Sequence, residues 1–401
     1  MSKVSPRRLG DLITLKRGYD LPEKDRVPGP YPVISSAGIS GVHHDYKVEG
    51  PGVVTGRYGT LGEMYFVDGK YWPHNTALYV QNFKGNDPKY IYYLLSCLGR
   101  IRTSDKSAVP GVNRNELHEM AIPAIDDKKL QIAIRKVLEA IDQKIELNNR
   151  INAELEAMAK TLYDYWFVQF DFPDTNGKPY KTSGGKMVYN PTLKREIPEG
   201  WIDCLLGDHV TFKRGISYKS GDIQNAGVPF INLNSFSLSG EFKLEGTKYY
   251  NGKFKPESKL NPGELVIAIT DVTRNADIIG KSFVIPDIFD ETPLMSCDVA
   301  SVSSRKFCNA YLEQLFNSES YHKYIKYYAS GTLVLHLDLN GVKWFKTYLP
   351  PQKLLEEYSQ HCASLFKQRN IVLKENVYLE SLRDWLLPML MNGQVTVGAQ
   401  N

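Results

Sequence analysis

The chain reads as an α+β protein: two mostly-β bodies in a pseudo-two-fold repeat, separated by two long helices that form an antiparallel coiled coil. Three observations predict this. An opening signature occurs twice, Leu9-Gly10-Asp11 with Lys16-Arg17-Gly18 returning as Leu206-Gly207-Asp208 with Lys213-Arg214-Gly215, at a constant offset of 197. Each copy closes on an apolar pair and a proline, Ala121-Ile122-Pro123 and Tyr348-Leu349-Pro350, now offset by 227. After each proline comes a long segment whose apolar residues recur at alternating intervals of four and three.

The first body occupies 1–125 and the second 201–350. Short apolar runs punctuated by Gly and Pro predict strands and turns in both. Gly50-Pro51-Gly52-Val53-Val54 leads to the loop Thr55-Gly56-Arg57-Tyr58-Gly59-Thr60, after which Leu61–Val67 resumes a strand pattern. Copy two runs Asn261-Pro262-Gly263-Glu264-Leu265-Val266 and then Ile279–Ile285, with extra residues between, including Thr270, Asp271, Thr273, Arg274 and Asn275. A shared frame with a different loop is expected where the scaffold must be equivalent and the contacted surfaces need not be.

The helices are expected at 126–168 and 351–391, with a tail at 392–401. Helix one carries Leu130, Ile134, Val137, Ile141, then Lys144 and Asn148, then Ile151, Leu155, Met158, Leu162 and Tyr165. Helix two carries Leu355, Tyr358, Cys362, Leu365, then Arg369, then Val372, Asn376, Leu379 and Leu382. A narrow seam with period 3.5 marks a coiled coil, and polar seam positions (Lys144, Asn148, Arg369, Asn376) fix register. About forty residues make a rod of ~60 Å. Antiparallel pairing in which facing numbers sum to about 517 sets Asn148 opposite Arg369. Between helix one and the second body, 169–200 is rich in Pro, Gly, Lys and Thr and reads as a connector with little periodic structure.

Composition bounds the function classes. A length of 401 residues suits two or three domains. Nothing approaches an apolar run of ~18 residues, and the first residues lack an apolar stretch, so neither a membrane span nor a signal peptide is expected. Five scattered cysteines at 97, 204, 297, 308 and 362 show no metal-ligand spacing, which fits free thiols and a cytoplasmic location. A net charge of +4 permits a nucleic-acid partner without demanding one.

The sequence offers no defensible catalytic constellation. Gly185-Lys186 lacks the upstream glycine of a phosphate-binding loop, and Met187 stands in the Ser/Thr place. The Gly56, Gly59, Gly62 spacing lies between strand patterns and reads as a turn. His43-His44-Asp45 has no partner cluster for a metal, and Glu257-Ser258-Lys259 lacks the preceding acid of a nuclease motif. No cofactor, no metal and no catalysis by the chain itself are expected.

The whole order resembles the specificity subunit of type I restriction-modification enzymes. The resemblance covers essentially the full length: body, Ile122-Pro123, heptad helix, Leu162-Tyr163-Asp164-Tyr165-Trp166-Phe167, then Ile197-Pro198-Glu199-Gly200-Trp201 running into Leu206-Gly207-Asp208, a second body and a second helix. It implies that each body is a target recognition domain reading one half of a bipartite site in double-stranded DNA. It further implies that the helices set the gap and dock two methyltransferase subunits, with restriction (translocase) subunits added for cleavage. One departure is that the family's Leu-x-Glu-Gln helix start appears here as Leu130-Gln131 without the Glu and as Leu355-Glu356-Glu357 without the Gln.

Paired hydrogen bonds at base edges discriminate bases, whereas Lys and hydroxyl contacts to phosphate set position. Candidate base-reading residues are Arg57, Tyr58 and Thr60, with His74 and Asn75 as a second patch; in copy two they are Thr270, Thr273, Arg274 and Asn275, with Asn232 and Asn234. Lys16, Arg17, Lys213 and Arg214 are read as phosphate contacts or, alternatively, as solvated strand ends. Two other functions stay open at this level: a stand-alone DNA methyltransferase or nuclease fragment, and a coiled-coil protein-interaction scaffold.

Overall fold

The computed structural model describes residues 4–57, 63–98 and 113–397. Tyr58 and Thr60 lie outside the described residues. The chain divides into two compact units, Met1–Glu146 with Tyr378–Asn401, and Leu147–Val377. Among the described residues no helix is long and apolar enough to cross a membrane.

Chain order in the first unit begins β1 (Val4–Arg8), α1 (Leu9–Leu12), β2 (Thr14–Arg17), β3 (Tyr31–Ser35), β4 (Gly38–His43), β5 (Val48–Glu49) and β6 (Gly52–Gly56). It continues with β7 (Met64–Val67), β8 (Lys70–Pro73), β9 (Ala77–Asn82), α2 (Pro88–Cys97), α3 (Arg114–Glu119), β10 (Ala121–Ile125) and the start of α4 (Lys128–Tyr163). One antiparallel sheet has the order β2-β9-β6-β7; a second, β4-β3-β8-β5, contains the parallel pair β3 and β8. Every residue of β6 is buried, as expected for an apolar run flanked by strands on both sides.

The second unit begins with β11 (Met187–Asn190), β12 (Arg195–Pro198), β13 (Ile202–Leu205), β14 (Val210–Arg214), β15 (Ile223–Gln224), β16 (Val228–Ile231) and β17 (Lys248–Tyr250). Next come β18 (Leu265–Ala268), β19 (Thr270–Asp271), β20 (Ser282–Val284), β21 (Leu294–Met295), β22 (Val299–Ser304), α5 (Asn309–Asn317) and α6 (Glu319–Ile325). The series ends with β23 (Ala329–Ser330), β24 (Leu335–Leu337), α7 (Leu339–Lys343), β25 (Lys346–Leu349) and α8 (Gln352–Met391). Its main sheet runs β14-β22-β18-β20, and a second, β15-β17-β16-β21, again holds one parallel pair, β16 and β21. A further ladder, β19-β24-β23, has no counterpart among the described strands of the first unit.

The duplicated signatures now have physical reasons. Leu9 and Leu206 are both buried, and their N–H groups donate at 2.9 Å to Met120 O and Phe345 O, tying each opening to the end of its own body. The glycine of Lys-Arg-Gly is a close-approach residue. A Cβ on Gly18 would stand 2.1 Å from His74 O, and one on Gly215 would stand 2.1 Å from Ser296 O.

Within each unit α4 and α8 run antiparallel. In the first, Arg383 Nη1 donates to Asp142 Oδ1 at 3.2 Å, and Ile134 and Leu138 share a core with Leu390 and Met391. In the second, Asn148 Nδ2 donates to Asn376 Oδ1 at 2.9 Å and to Glu375 Oε2 at 2.8 Å, and Asn376 Nδ2 donates to Asn149 Oδ1 at 2.8 Å. Further along, Phe167 and Trp166, in the π-turn that ends α4, pack on Tyr358. Asn148 therefore does not face Arg369, as the sequence led us to expect, but a residue one heptad beyond it. A heptad slip leaves every apolar seam position apolar, so periodicity is blind to it. Polar pairing decides: carboxamides exchange hydrogen bonds with one another, while the Arg369 guanidinium is buried beside the Glu313 carboxylate, 3.7 Å away, and donates to Val284 O.

The seam of α4 also differs in its second half. Asn152, Leu155 and Ala159 are buried, whereas Ile151 and Met158, expected in the seam, are exposed together with Leu147 and Tyr165. Lys144 is half-buried. The segment expected to be an irregular connector is mostly turns but includes the β11–β12 hairpin, and its flanking aromatics Phe170, Phe172 and Trp201 enter the core of the second unit. Phe172 stacks on Trp201 at 5.4 Å, and the Tyr348 hydroxyl donates to Phe167 O.

Substituting Gly215→Ala should cost about 1–3 kcal/mol, since the methyl meets rigid backbone rather than a movable side chain. Gly177→Ala, where nothing lies within 4 Å but φ is +73°, serves as a strained, unclashing control. Urea denaturation should rank Gly215→Ala below both that control and the parent chain.

Candidate nucleic-acid interface

In the first unit the candidate residues converge on the turn between β8 and β9. The Arg57 N–H donates to Thr76 O at 2.9 Å, and the Gly18 N–H donates to Ala77 O at 3.1 Å. Arg17 Nε reaches Asn75 O at 3.4 Å, and Asn75 Nδ2 donates to Asp20 Oδ1. His74 Nδ1 lies 3.0 Å from Thr76 Oγ1, and the Ser36 N–H donates to that same hydroxyl at 3.3 Å. Partial burial, reinforced by the Arg26 charge, holds the His74 imidazole below its ordinary pKa, so it stays neutral at pH 7 and offers one donor and one acceptor. Arg17, Arg57, His74 and Asn75 thus share one edge. Lys16 is set differently, its ammonium 3.4 Å from the Tyr19 hydroxyl and over that ring.

The same backbone frame serves the second unit with other side chains. The Ile269 N–H donates to Asp298 O at 2.9 Å, which makes buried Ile269 the counterpart of Arg57. Ile216 bridges Ser296 as Tyr19 bridges His74, so Cys297 takes the place of Asn75. Lys213 and Arg214 are exposed on β14, and Lys213 Nζ donates to Glu257 O.

The loop after β18 is organised from beneath by Asp271, which is fully buried. Its Oδ1 accepts from the Thr273 N–H at 2.6 Å, and its Oδ2 accepts from the N–H groups of Ile278 and Ile279 at 2.6 and 2.8 Å. Thr273 Oγ1 accepts from the Asp277 N–H at 2.8 Å. Arg274 and Asn275 are exposed at the loop tip. Thr270 is only 4% exposed and its hydroxyl donates to Asp298 Oδ1 at 2.9 Å, so it holds the loop rather than fronting it. Asn232, at 3% exposure, donates to Phe230 O and Gly246 O and accepts from the Asn234 N–H; its amide is consumed by backbone, while Asn234 is exposed.

Sequence reasoning missed Asp271 as the loop organiser, Cys297 on the equivalent turn, and the β23–β24 hairpin that pairs with β19 and exposes His336 and Leu333. The offset between copies changes inside the bodies, so counting could not locate Cys297. Asp271 carried a usable signal, an Asp opening a loop, whose side chain favours a hydrogen bond to the backbone two residues on.

Residues 1–157 match the family model described as the type I restriction modification DNA specificity domain. The first part of the chain thus carries a type I restriction modification DNA specificity domain. Among curated relatives, the specificity subunit of the type I restriction enzyme MjaIX from Methanocaldococcus jannaschii is 25% identical over 329 residues, spanning 79% of this chain and 72% of the relative. The specificity subunit of HindI from Haemophilus influenzae is 21% identical over 375 residues, covering 77% of each. Among solved structures, the specificity subunit from M. genitalium shares the fold, with a TM-score of 0.57 at 16% identity over 97% of this chain and 96% of that one.

Replacing Asp271 by Asn removes a charged acceptor from three backbone donors. The expected loss is about 2 kcal/mol or more in denaturant unfolding, with faster proteolytic cleavage between Val272 and Asp277. An Asp45→Asn control, whose carboxylate is engaged with its neighbour's backbone N–H, should change neither measurement.

Proposed function

We propose that this chain is a specificity subunit that reads a bipartite site in double-stranded DNA, one half-site per body, and docks methyltransferase subunits along its helices. It is a DNA sequence-recognition subunit of a restriction-modification complex, and the methylation and cleavage chemistry belongs to its partners. The observation that carries the reading is the pairing of a common backbone frame with divergent side chains at its edge: Arg57, His74 and Asn75 in one body stand where Ile269, Ser296 and Cys297 stand in the other. A frame of that kind presents different donors and acceptors at equivalent places, which is what two unlike half-sites require. Arg17 and Arg214, exposed on matching strands, suit phosphate contacts that set register.

In this reading the long helices act as an antiparallel coiled-coil spacer between target recognition domains 1–125 and 201–350. The docking faces are the apolar residues that the helices leave uncovered. On α4 these are Leu147, Ile151 and Met158, continued by Tyr165 and Val168; on α8 they include Ile371, Tyr378 and Trp385. Exposed apolar residues in rows of this kind mark interaction sites on soluble proteins. Two methyltransferase subunits, one for each recognition domain, and added restriction subunits complete the assembly.

The test is a methylation-site profile of the reconstituted complex. Arg57→Ala should relax one half-site by about tenfold, and Arg274→Ala the other, in line with ~1–3 kcal/mol per paired base contact. Equal relaxation of both half-sites by either variant would overturn the two-reader assignment. Met158→Lys should weaken capture of the methyltransferase subunit while leaving the salt dependence of DNA binding unchanged, as measured by gel shift.

A further inference from the structure

The second unit contains a cavity of about 870 Å³ bordered by α4, α5, α6 and α8. Its polar lining is unusual for an interior. Glu156, Glu241 and Glu313 face two buried or half-buried cations, Arg369 and Lys281. Glu313 is 4% exposed; its Oε1 accepts from the Val284 N–H at 2.8 Å, while its Oε2 has no hydrogen-bond partner. Arg369, equally buried, leaves Nε without a partner as well. The other charged groups at the cavity are accounted for at the rim. Lys160 pairs with Asp164 at 2.8 Å, Glu319 pairs with Lys323 at 2.6 Å, and burial pushes His322 down to about 4, leaving it neutral.

Three carboxylates crowd the cavity with only two cations, and burial pushes Glu313 up as well. The fold meets this by keeping a proton: burial, followed by the neighbouring Glu241, pushes Glu156 up to about 8. A cation entering the cavity would replace that proton. Apolar walls from Leu155, Ala159, Leu365 and Phe366 suit the methylenes of a long amine better than a bare ion. Among the described residues no group of three or more His, Cys, Asp or Glu is arranged to hold a metal. The volume is that of a pocket for a small organic ligand.

We propose that this cavity is a binding site for an organic cation, an alkylammonium or guanidinium group, held by Glu156, Glu241 and the unpartnered Glu313 oxygen. The source is either a free polyamine or a basic side chain of a partner. The inference is independent of the half-site assignment.

Isothermal titration calorimetry on the full chain tests it, with spermidine for the free source and the N-acetyl methylamides of lysine and arginine for the side-chain source. Saturable one-to-one binding of any of the three is expected, weakened at least tenfold by Glu156→Gln and by Glu241→Gln. Binding of spermidine alone identifies a polyamine, and binding of an amino-acid amide alone identifies a partner side chain. At pH 7 binding should release up to about one proton, read from the buffer dependence of the enthalpy, and Glu156→Gln should abolish that release. No saturable binding of any probe, or affinities unchanged in both variants, would overturn the site. Without ligand, the sign of the linkage is fixed: the folded chain keeps the Glu156 proton that the unfolded chain gives up near pH 4.5, so Glu156 lowers stability progressively as pH rises toward about 8. Glu156→Gln should remove that slope from urea midpoints measured between pH 5 and 9.

Discussion

A carboxamide buried between two helices has no water to satisfy it, and leaving its donors unmet costs about as much as several well-packed methyl groups contribute. Asn148 meets that demand with Asn376 and Glu375, and Asn376 returns the exchange to Asn149. The choice of partner fixes which residues of α4 and α8 face one another, and much else follows from it. Arg369 is released from the helix pair and turns toward Glu313 and the β20 carbonyl of Val284. Ile151 and Met158 are turned outward, leaving an uncovered apolar row beside a seam that contains Asn152 and Ala159. The Asn148 donors are satisfied by this arrangement, whereas the amide oxygens of Asn148 and Asn152 are buried without a partner.

A second constraint acts at each reading edge. The strand that carries Lys-Arg-Gly passes so close to the following turn that only glycine fits, at Gly18 and again at Gly215. Backbone is therefore held against backbone, and the side chains beside it are free to vary without disturbing the frame. Rigid scaffolding beneath variable loops is how binding residues are usually positioned. Asp271 extends the principle: a fully buried carboxylate holds the loop from below through backbone N–H groups, leaving Arg274 and Asn275 outward.

The candidate site was legible as a neighbourhood rather than residue by residue. Arg57, His74, Asn75 and Arg17, widely spaced in the sequence, do come to one edge. Thr270 and Asn232 have the same chemistry as base-reading residues, yet both are enclosed and spent on Asp298 and on backbone carbonyls. Polarity in a loop does not distinguish a residue that contacts a ligand from one that shapes the loop. That distinction rests on burial, which depends on segments far away in the chain.

By itself the sequence determined the repeated opening signatures, the positions of the two long helices and two polar residues between them, Asn148 and Asn376, because period and repeated signatures are local properties of composition. It also carried the resemblance to specificity subunits, through the order of those signatures. Only the tertiary structure decided the register of the helices, the exposed row on α4 and the charge imbalance among Glu156, Glu241 and Glu313. These depend on which polar groups meet across long sequence separations, and a heptad slip or a burial event changes that meeting without altering any local pattern.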